Sequence, residues 1–201
     1  MLADFTRISP DFELACIIPC LLATSKSRYL STSKHVVTWR IRLQRFQAKL
    51  ETPFALVGVR TEGAALAEIV YLPRSAGSLA PANALAEQAC AQIEKYAADP
   101  SYRFELPLKQ IGTAFQRRVW ELIASIPCGE TRSYGEFARI LKSAPRAVGQ
   151  ACGTNYFPLV IPCHRVVAAN GIGGFAHSSG GYLIEVKRAL LAHEQHGGYD
   201  R

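Results

Sequence analysis

A cysteine, a histidine and an arginine stand side by side at Cys163, His164 and Arg165, inside an otherwise apolar stretch running from Leu159 to Val167. Polar groups in such a run require a reason. An ordinary thiol has a pKa of about 8.5 and is mostly un-ionised at neutral pH, and a cationic neighbour lowers that value. The triplet therefore reads as an activated sulfur nucleophile, with His164 the obvious cationic neighbour. Pro162 removes a ladder donor and restricts the backbone, which predicts a bent strand that leaves Cys163 facing a pocket. Adjacent side chains on an extended chain point apart, so His164 is expected to reach the sulfur through that bend or an intervening water. Glu194, near the end of a late helix, could orient the ring, although a solvated helix end is the plainer reading. A Cys-His pair is also compatible with a buried, inert thiol.

Several elements must position this triplet. Downstream, Asn170, Gly171, Gly173 and Gly174, then Ser179, Gly180 and Gly181, predict a flexible loop able to wrap a ligand. Leu183 to Glu194 follows as a terminal helix with Leu183, Val186, Leu190 and Leu191 as core candidates. Upstream, Thr113 with Gln116 and Ser133 with Glu136 form capping-box patterns ahead of two amphipathic helices, the first ended by Pro127, Cys128 and Gly129. A turn at Lys142 to Ala144 and Pro145 in a first helical turn predict a further helix to about Gly153, giving helix, turn, helix. Val148, Cys152 and Asn155 fall on one face of that helix; Arg146, Ala147, Gly149, Gln150 and Gly153 fall mostly on the other. The second face is small and carries one cation. Such a surface admits close approach by a DNA groove or by another part of the protein.

Nearer the start, Ala55 to Arg60 and Ala67 to Leu72 predict a hairpin turning at Thr61, Glu62 and Gly63. Pro81 suits the first position of a helix whose apolar face is Leu85, Ala89, Ile93, Tyr96 and Ala97, and Pro107 to Gly112 reads as a linker. The chain has 201 residues, 49% hydrophobic and 19% charged, which excludes disordered and fibrous classes. Its formal charge of +7 favours an anionic partner. Residues 1–45 contribute seven Lys or Arg against three acids, so the rest is only mildly basic and must bind through where its charges sit. Leu14 to Ala23 is interrupted by Pro19 and is too short to cross a bilayer, and the residues before it lack the basic character of a signal peptide. A cytoplasmic protein without membrane association is expected. Six sparse cysteines fit reduced thiols, and Cys16 and Cys20, spaced like half a zinc site, have no matching pair. No metal is expected.

The run Ile161 to Val167 (I-P-C-H-R-V-V), Arg146 to Gly149 (R-A-V-G), Ser133-Tyr134 and Leu190 to Glu194 (L-L-A-H-E) together resemble the O6-alkylguanine-DNA alkyltransferases, nearest their bacterial branch, over about residues 48 to 197. The resemblance implies an α/β plus α architecture: an N-terminal extension at 1–45, a small ribonuclease-H-like α/β domain at 46–106, and a winged-helix-like DNA-binding and active-site domain at 107–201. It implies that Cys163 irreversibly accepts the alkyl group of O6-alkylguanine, and of O4-alkylthymine, in double-stranded DNA, with no cofactor. His164, through water, would be the base and Glu194 its orienting carboxylate. Asn155 would tie the helix to the cysteine loop. Arg146 would fill the gap left by the rotated nucleotide, with Ala147, Gly149 and Gln150 on the same DNA surface. Tyr134 would assist rotation at the phosphate and donate to the guanine ring. Val166, Ser179, Gly180 and Phe175 would frame the pocket, Val166 through backbone groups that steady the leaving guanine, in a loop longer than the family's usual one. A monomer is implied, with or without cooperative assembly on DNA.

Two other readings share these residues. A helix-turn-helix damage sensor would bind DNA while Cys163 merely packs. A thiol hydrolase would use Cys163 and His164 repeatedly on a small ester or amide.

Overall fold

The computed structural model describes residues 46–195; the 45 residues before them, with Cys16, Cys20 and the apolar run at 14–23, and the last six residues lie outside the described residues. The fold is mixed α/β. Two β-rich runs pair as β2 (Leu56–Glu62) and β3 (Ala65–Leu72), antiparallel, with Leu56 opposite Leu72 and Glu62 opposite Ala65. The turn sits later than expected, because Thr61 and Glu62 remain paired and Gly63 takes the left-handed backbone at φ 57°. A strand that the residue pattern did not mark, β1 (Ala48–Glu51), lies against β2, giving the order β1-β2-β3. At four residues it is too short to stand out as alternation.

Helix α1 (Ala84–Ala98) covers this sheet with Ala86, Ala89, Cys90, Ile93 and Tyr96, the spacing of one buried helical face. Its start corrects the expectation for Pro81. Asn83 caps the helix instead, its side-chain oxygen accepting from the Ala86 amide at 2.8 Å, so Pro81 stays in the approach segment. The stretch 107–112 is not a free linker either. The Leu66 amide donates to Pro107 O at 2.7 Å and the Lys109 amide to Leu66 O at 2.9 Å, so the segment joins the start of β3.

Both capping boxes form. Thr113 caps α2 (Ala114–Ala124) and Ser133, at the end of β4 (Arg132–Ser133), caps α3 (Tyr134–Ile140), each with its Gln or Glu partner bonding back. The turn at Lys142, φ 50°, leads into α4 (Pro145–Gly153), with Pro145 in the first turn where a missing amide costs nothing. Val119, Trp120 and Ile123 of α2 pack against α4, and the Trp120 indole donates to Ala151 O at 2.9 Å.

The run at 159–167 does not form the expected bent strand. Leu159 adopts φ 75°, the Ile161 amide closes onto Phe157 O, and Cys163–Arg165 form one 3-10 turn before β5 (Val166–Val167) pairs parallel with β4. Backbone groups in an apolar surrounding need partners, and here local turns supply them. Helix α5 (Tyr182–Gln195) closes the core with Ile184, Val186, Leu190 and Leu191; Leu183 is only partly buried, and Lys187 lies wholly inside. Among the described residues, no helix is long and apolar enough to cross a membrane.

Replacing Thr113 by alanine removes the oxygen that accepts the Gln116 amide. The expected loss is about 1 kcal/mol of unfolding free energy, read from the urea midpoint at an unchanged slope.

Candidate active site

Pro162 turns the chain and the 3-10 turn places Cys163 and His164 in succession within the core, only 6% and 0% exposed. A cavity of about 310 Å³ reaches the cysteine. Its walls come from α3 (Tyr134), α4 (Arg146, Gly149, Gln150, Cys152 and Gly153) and the loop before α5 (Gly174 to Ser179). Arg146, Gln150 and Ser179 are exposed, whereas Phe175 is buried. Most of the residues expected at the site thus surround one opening. Ala147 does not line it, Gly180 is exposed beyond its lining, and Val166 lies in the core. The backbone donor expected near Val166 has other work: its N–H donates to Cys163 O, and its carbonyl accepts from Lys187.

His164 and Glu194 are buried and do not line the cavity. His164 Nε2 meets Glu194 Oε1 at 2.8 Å, and Arg165 grips both carboxylate oxygens through Nε and Nη2, each at 2.8 Å. Burial by itself would raise the Glu194 pKa; the hydrogen bonds that His164 and Arg165 donate, with the Arg165 charge, overcome it and hold the carboxyl well below its ordinary value. The carboxylate is therefore ionised, and His164 Nε2 carries the hydrogen it donates. Burial lowers the His164 pKa against the pull of Glu194, so the ring rests neutral. Its Nδ1 is buried without a hydrogen-bond partner among the described residues, which leaves that lone pair free to take a proton.

This arrangement corrects the expected electrostatics. Arg165 is spent on Glu194 and on Ile126 O at 2.6 Å, so the cysteine's neighbour is not the adjacent guanidinium. Burial raises the Cys163 pKa, with a hydrogen bond from Asn155 and the charge of Lys187 opposing it only in part. The resting sulfur is a neutral thiol. Asn155 lies two residues past the end of α4 rather than on its inner face. From there its amide nitrogen donates to Ile161 O at 2.7 Å and its oxygen accepts from the Phe157 amide, fixing the chain that leads into the cysteine turn.

Lys187 belongs to the site although the residue pattern does not single it out. Its ammonium donates to Val166 O and Ile172 O at 2.7 Å and to Gly174 O at 2.9 Å, using all three of its hydrogens. Burial lowers its pKa to about 8, against the pull of the two nearby cysteines. The loop expected to be flexible is thereby pinned at two carbonyls, and Gly174 O also accepts from the Tyr134 hydroxyl at 3.0 Å. A signal was available: Lys187 sits three residues after Ile184 and four before Leu191, on the apolar stripe of α5.

The small face of α4 also has an internal use. A Cβ on Gly153 would stand 2.6 Å from the His177 ring, so the imidazole packs directly on the helix backbone, and a Cβ on Gly149 would stand 4.0 Å from the Tyr134 ring. Ala176 and His177 both take left-handed backbones, φ 46° and 62°, in the tight turn between Phe175 and Ser178. Part of this surface is therefore filled by the protein's own rings.

The profile of the 6-O-methylguanine DNA methyltransferase DNA-binding domain matches residues 114–196. The methylated-DNA–protein-cysteine methyltransferase of Methanosarcina mazei is 42% identical over 107 residues, 52% of this chain and 65% of that protein. The constitutive enzyme of the same name from Bacillus subtilis is 44% identical over 103 residues, 50% of this chain and 60% of its own. The chain thus spans less than two thirds of these curated relatives. The crystal structure of Mycobacterium tuberculosis O6-methylguanine methyltransferase superposes with a TM-score of 0.63 at 32% identity, covering 78% of this chain and 97% of that one. That organism's OGT in complex with DNA gives 0.61 at 35% identity, covering 74% and 91%.

Two outcomes follow from the buried charges. A carboxyl held below its ordinary pKa adds stability that is complete above about pH 5 and is lost as the pH falls towards the folded-state value. The stability gap between the wild type and Glu194→Gln should therefore be widest near neutrality and shrink in acid, measured by denaturant unfolding at a series of pH values. Lys187→Met takes the ammonium donor from Val166 O and Ile172 O and leaves Gly174 O with the Tyr134 hydroxyl, and should cost at least about 2 kcal/mol in the same measurement at neutral pH.

Proposed function

The chain belongs to the 6-O-methylguanine DNA methyltransferase family, and from that premise we propose that it repairs double-stranded DNA by moving the alkyl group of O6-alkylguanine onto Cys163, once per molecule. The observation that carries this reading is the position of the Cys163 thiol: it lines an open cavity, and the next residue in the turn is a neutral imidazole whose Nε2 is fixed by an ionised carboxylate and whose Nδ1 has no partner among the described residues. The same pocket would take O4-alkylthymine. Sheet β1-β2-β3 with α1 is read as the N-terminal ribonuclease-H-like domain, and residues 107–201 as the winged-helix-like part that carries the DNA surface. The working form is read as a cytoplasmic monomer.

A stacked base cannot present its O6 substituent to a sulfur, so the nucleotide must leave the helix first, at a cost of a few kcal/mol. Arg146, exposed at the cavity rim on the first turn of α4, is suited to fill the space it leaves. The thiol then gives its proton to His164 Nδ1, directly or through water. The resulting imidazolium is balanced by Glu194, and the thiolate attacks the alkyl carbon in line. One S–C bond forms and one O–C bond breaks, and the leaving guanine regains a ring proton equal to the one the thiol lost. The Tyr134 phenol, which lines the cavity, would donate to that anion. Its present acceptor, Gly174 O, keeps the Lys187 ammonium as a second donor, so the hydroxyl can turn to the base without leaving a bare buried carbonyl. A thioether does not return the group, so the protein is consumed.

Burial gives this chemistry its selectivity. A thiol whose pKa is raised resists casual electrophiles at rest and ionises only as the base takes its proton with substrate seated.

Incubation with an oligonucleotide carrying O6-methylguanine should add one methyl group to the protein, located at Cys163 by peptide mass. Cys163→Ser should bind the same DNA and gain nothing. An unmodified wild type that still binds would favour a damage sensor, and turnover of small esters a hydrolase. Arg146→Ala should reduce base extrusion, followed with a fluorescent base analogue beside the lesion, more than it reduces affinity for intact duplex. Equal losses would remove the intercalating role.

A further inference from the structure

Besides the cysteine turn and the Gly129 amide, which donates to Oε2 at 3.4 Å, Glu194 has a partner on α1. The hydroxyl of Tyr96, on α1 and 98 residues away in sequence, donates to Glu194 Oε1 at 2.8 Å, the same oxygen that faces His164. Tyr96 is 1% exposed. Its backbone carbonyl also accepts from His193 Nε2 at 2.9 Å, and its ring meets the His193 ring edge to face. One residue of the helix that covers the sheet thus grips two successive side chains at the end of α5.

We infer that Tyr96 is a positioning residue for proton transfer: its hydroxyl fixes the Glu194 carboxylate and, by sharing Oε1, sets how strongly that carboxylate supports a protonated His164. This rests on the functional reading above. A hydrogen bond donated to a carboxylate stabilises its charge and weakens it as a partner for any other cation. In a buried site that competition is not diluted by water. Tyr96 remains protonated, because burial and the neighbouring carboxylate both disfavour phenolate, so it acts as a donor at every accessible pH. The other charged and titratable groups are distributed around this pair. Arg165 comes from the cysteine turn, Cys128 from the segment before β4 and Tyr71 from β3 about Glu194, while Lys187 of α5 faces His164. Tyr96 differs from them in being a neutral donor to the oxygen that His164 uses. A packing role alone would need the ring and not the hydroxyl.

The test uses the full chain and single-turnover methyl transfer from an O6-methylguanine duplex across the pH range. In Tyr96→Phe the competing donor is gone, so imidazolium is better supported, and the acid limb of the rate profile should move up by about half a pH unit or more. Replacing Tyr96 by a fluorinated tyrosine, whose more acidic phenol donates more strongly, should move the limb the other way and covers the case in which the phenylalanine variant folds poorly. A uniform fall in rate with both limbs unmoved overturns the inference, because loosened packing alone does that. If the wild type transfers no methyl group at any pH, the functional reading falls instead. The Tyr96 assignment is then decided by the His164 ring-nitrogen chemical shifts, where a protonation midpoint displaced in the same directions upholds it and an unmoved midpoint overturns it.

Discussion

A buried carboxylate survives only where its charge is answered, and Glu194 is answered by three side chains, with the Gly129 amide 3.4 Å from Oε2. His164 and Arg165 reach it from the cysteine turn and Tyr96 from α1, while Glu194 itself comes from α5. Much else depends on that convergence. Because the carboxylate is ionised, His164 must hold its hydrogen on Nε2, and because the ring is buried it is neutral and carries a lone pair on Nδ1. Remove the carboxylate's partners and the preferred tautomer, the ring orientation and the packing of α5 lose their common cause. An unpaired charge at that depth would be costly enough to reshape the core.

On the other side of the sulfur, the problem is one of shape. The cavity is open on one side yet walled by groups that hold still. Lys187 provides the stiffness from within, tying the strand after the cysteine and the glycine-rich loop to one ammonium. The glycines of α4 provide room, since Gly153 admits the His177 ring against its backbone. A lysine on a core stripe and glycines inside a helix both contradict local preference. Here each is explained by a contact with the cavity wall, which is where local rules are expected to yield.

The legible part of the fold was the part governed by neighbours in sequence. Thr113 with Gln116 and Ser133 with Glu136 sit three residues apart and complete their capping boxes within a single turn, and the hairpin and helix-turn-helix also close locally. The same reasoning failed at Pro81, because proline tolerates a helix start without compelling it, while the side chain of Asn83 actively satisfies an amide. It failed at 159–167 because an apolar run says that a segment is buried and not which backbone geometry buries it. The residue pattern itself marks Cys163 as a candidate nucleophile and Arg146 as the cation on the small face of its helix, while Tyr134 and Phe175 enter only through the family resemblance, because their cavity positions depend on contacts distant in sequence.

The sequence by itself determined which residues could carry sulfur and proton chemistry, and where helices must begin, since those depend on side-chain type and on bonds spanning a few residues. Only the tertiary structure decided the protonation states and the partners. The thiol rests neutral because it is buried, Arg165 turns from it to Glu194, and Lys187 and Tyr96 become part of the site. Desolvation and long-range contacts set those outcomes, and neither quantity is a property of a residue until the chain has closed around it.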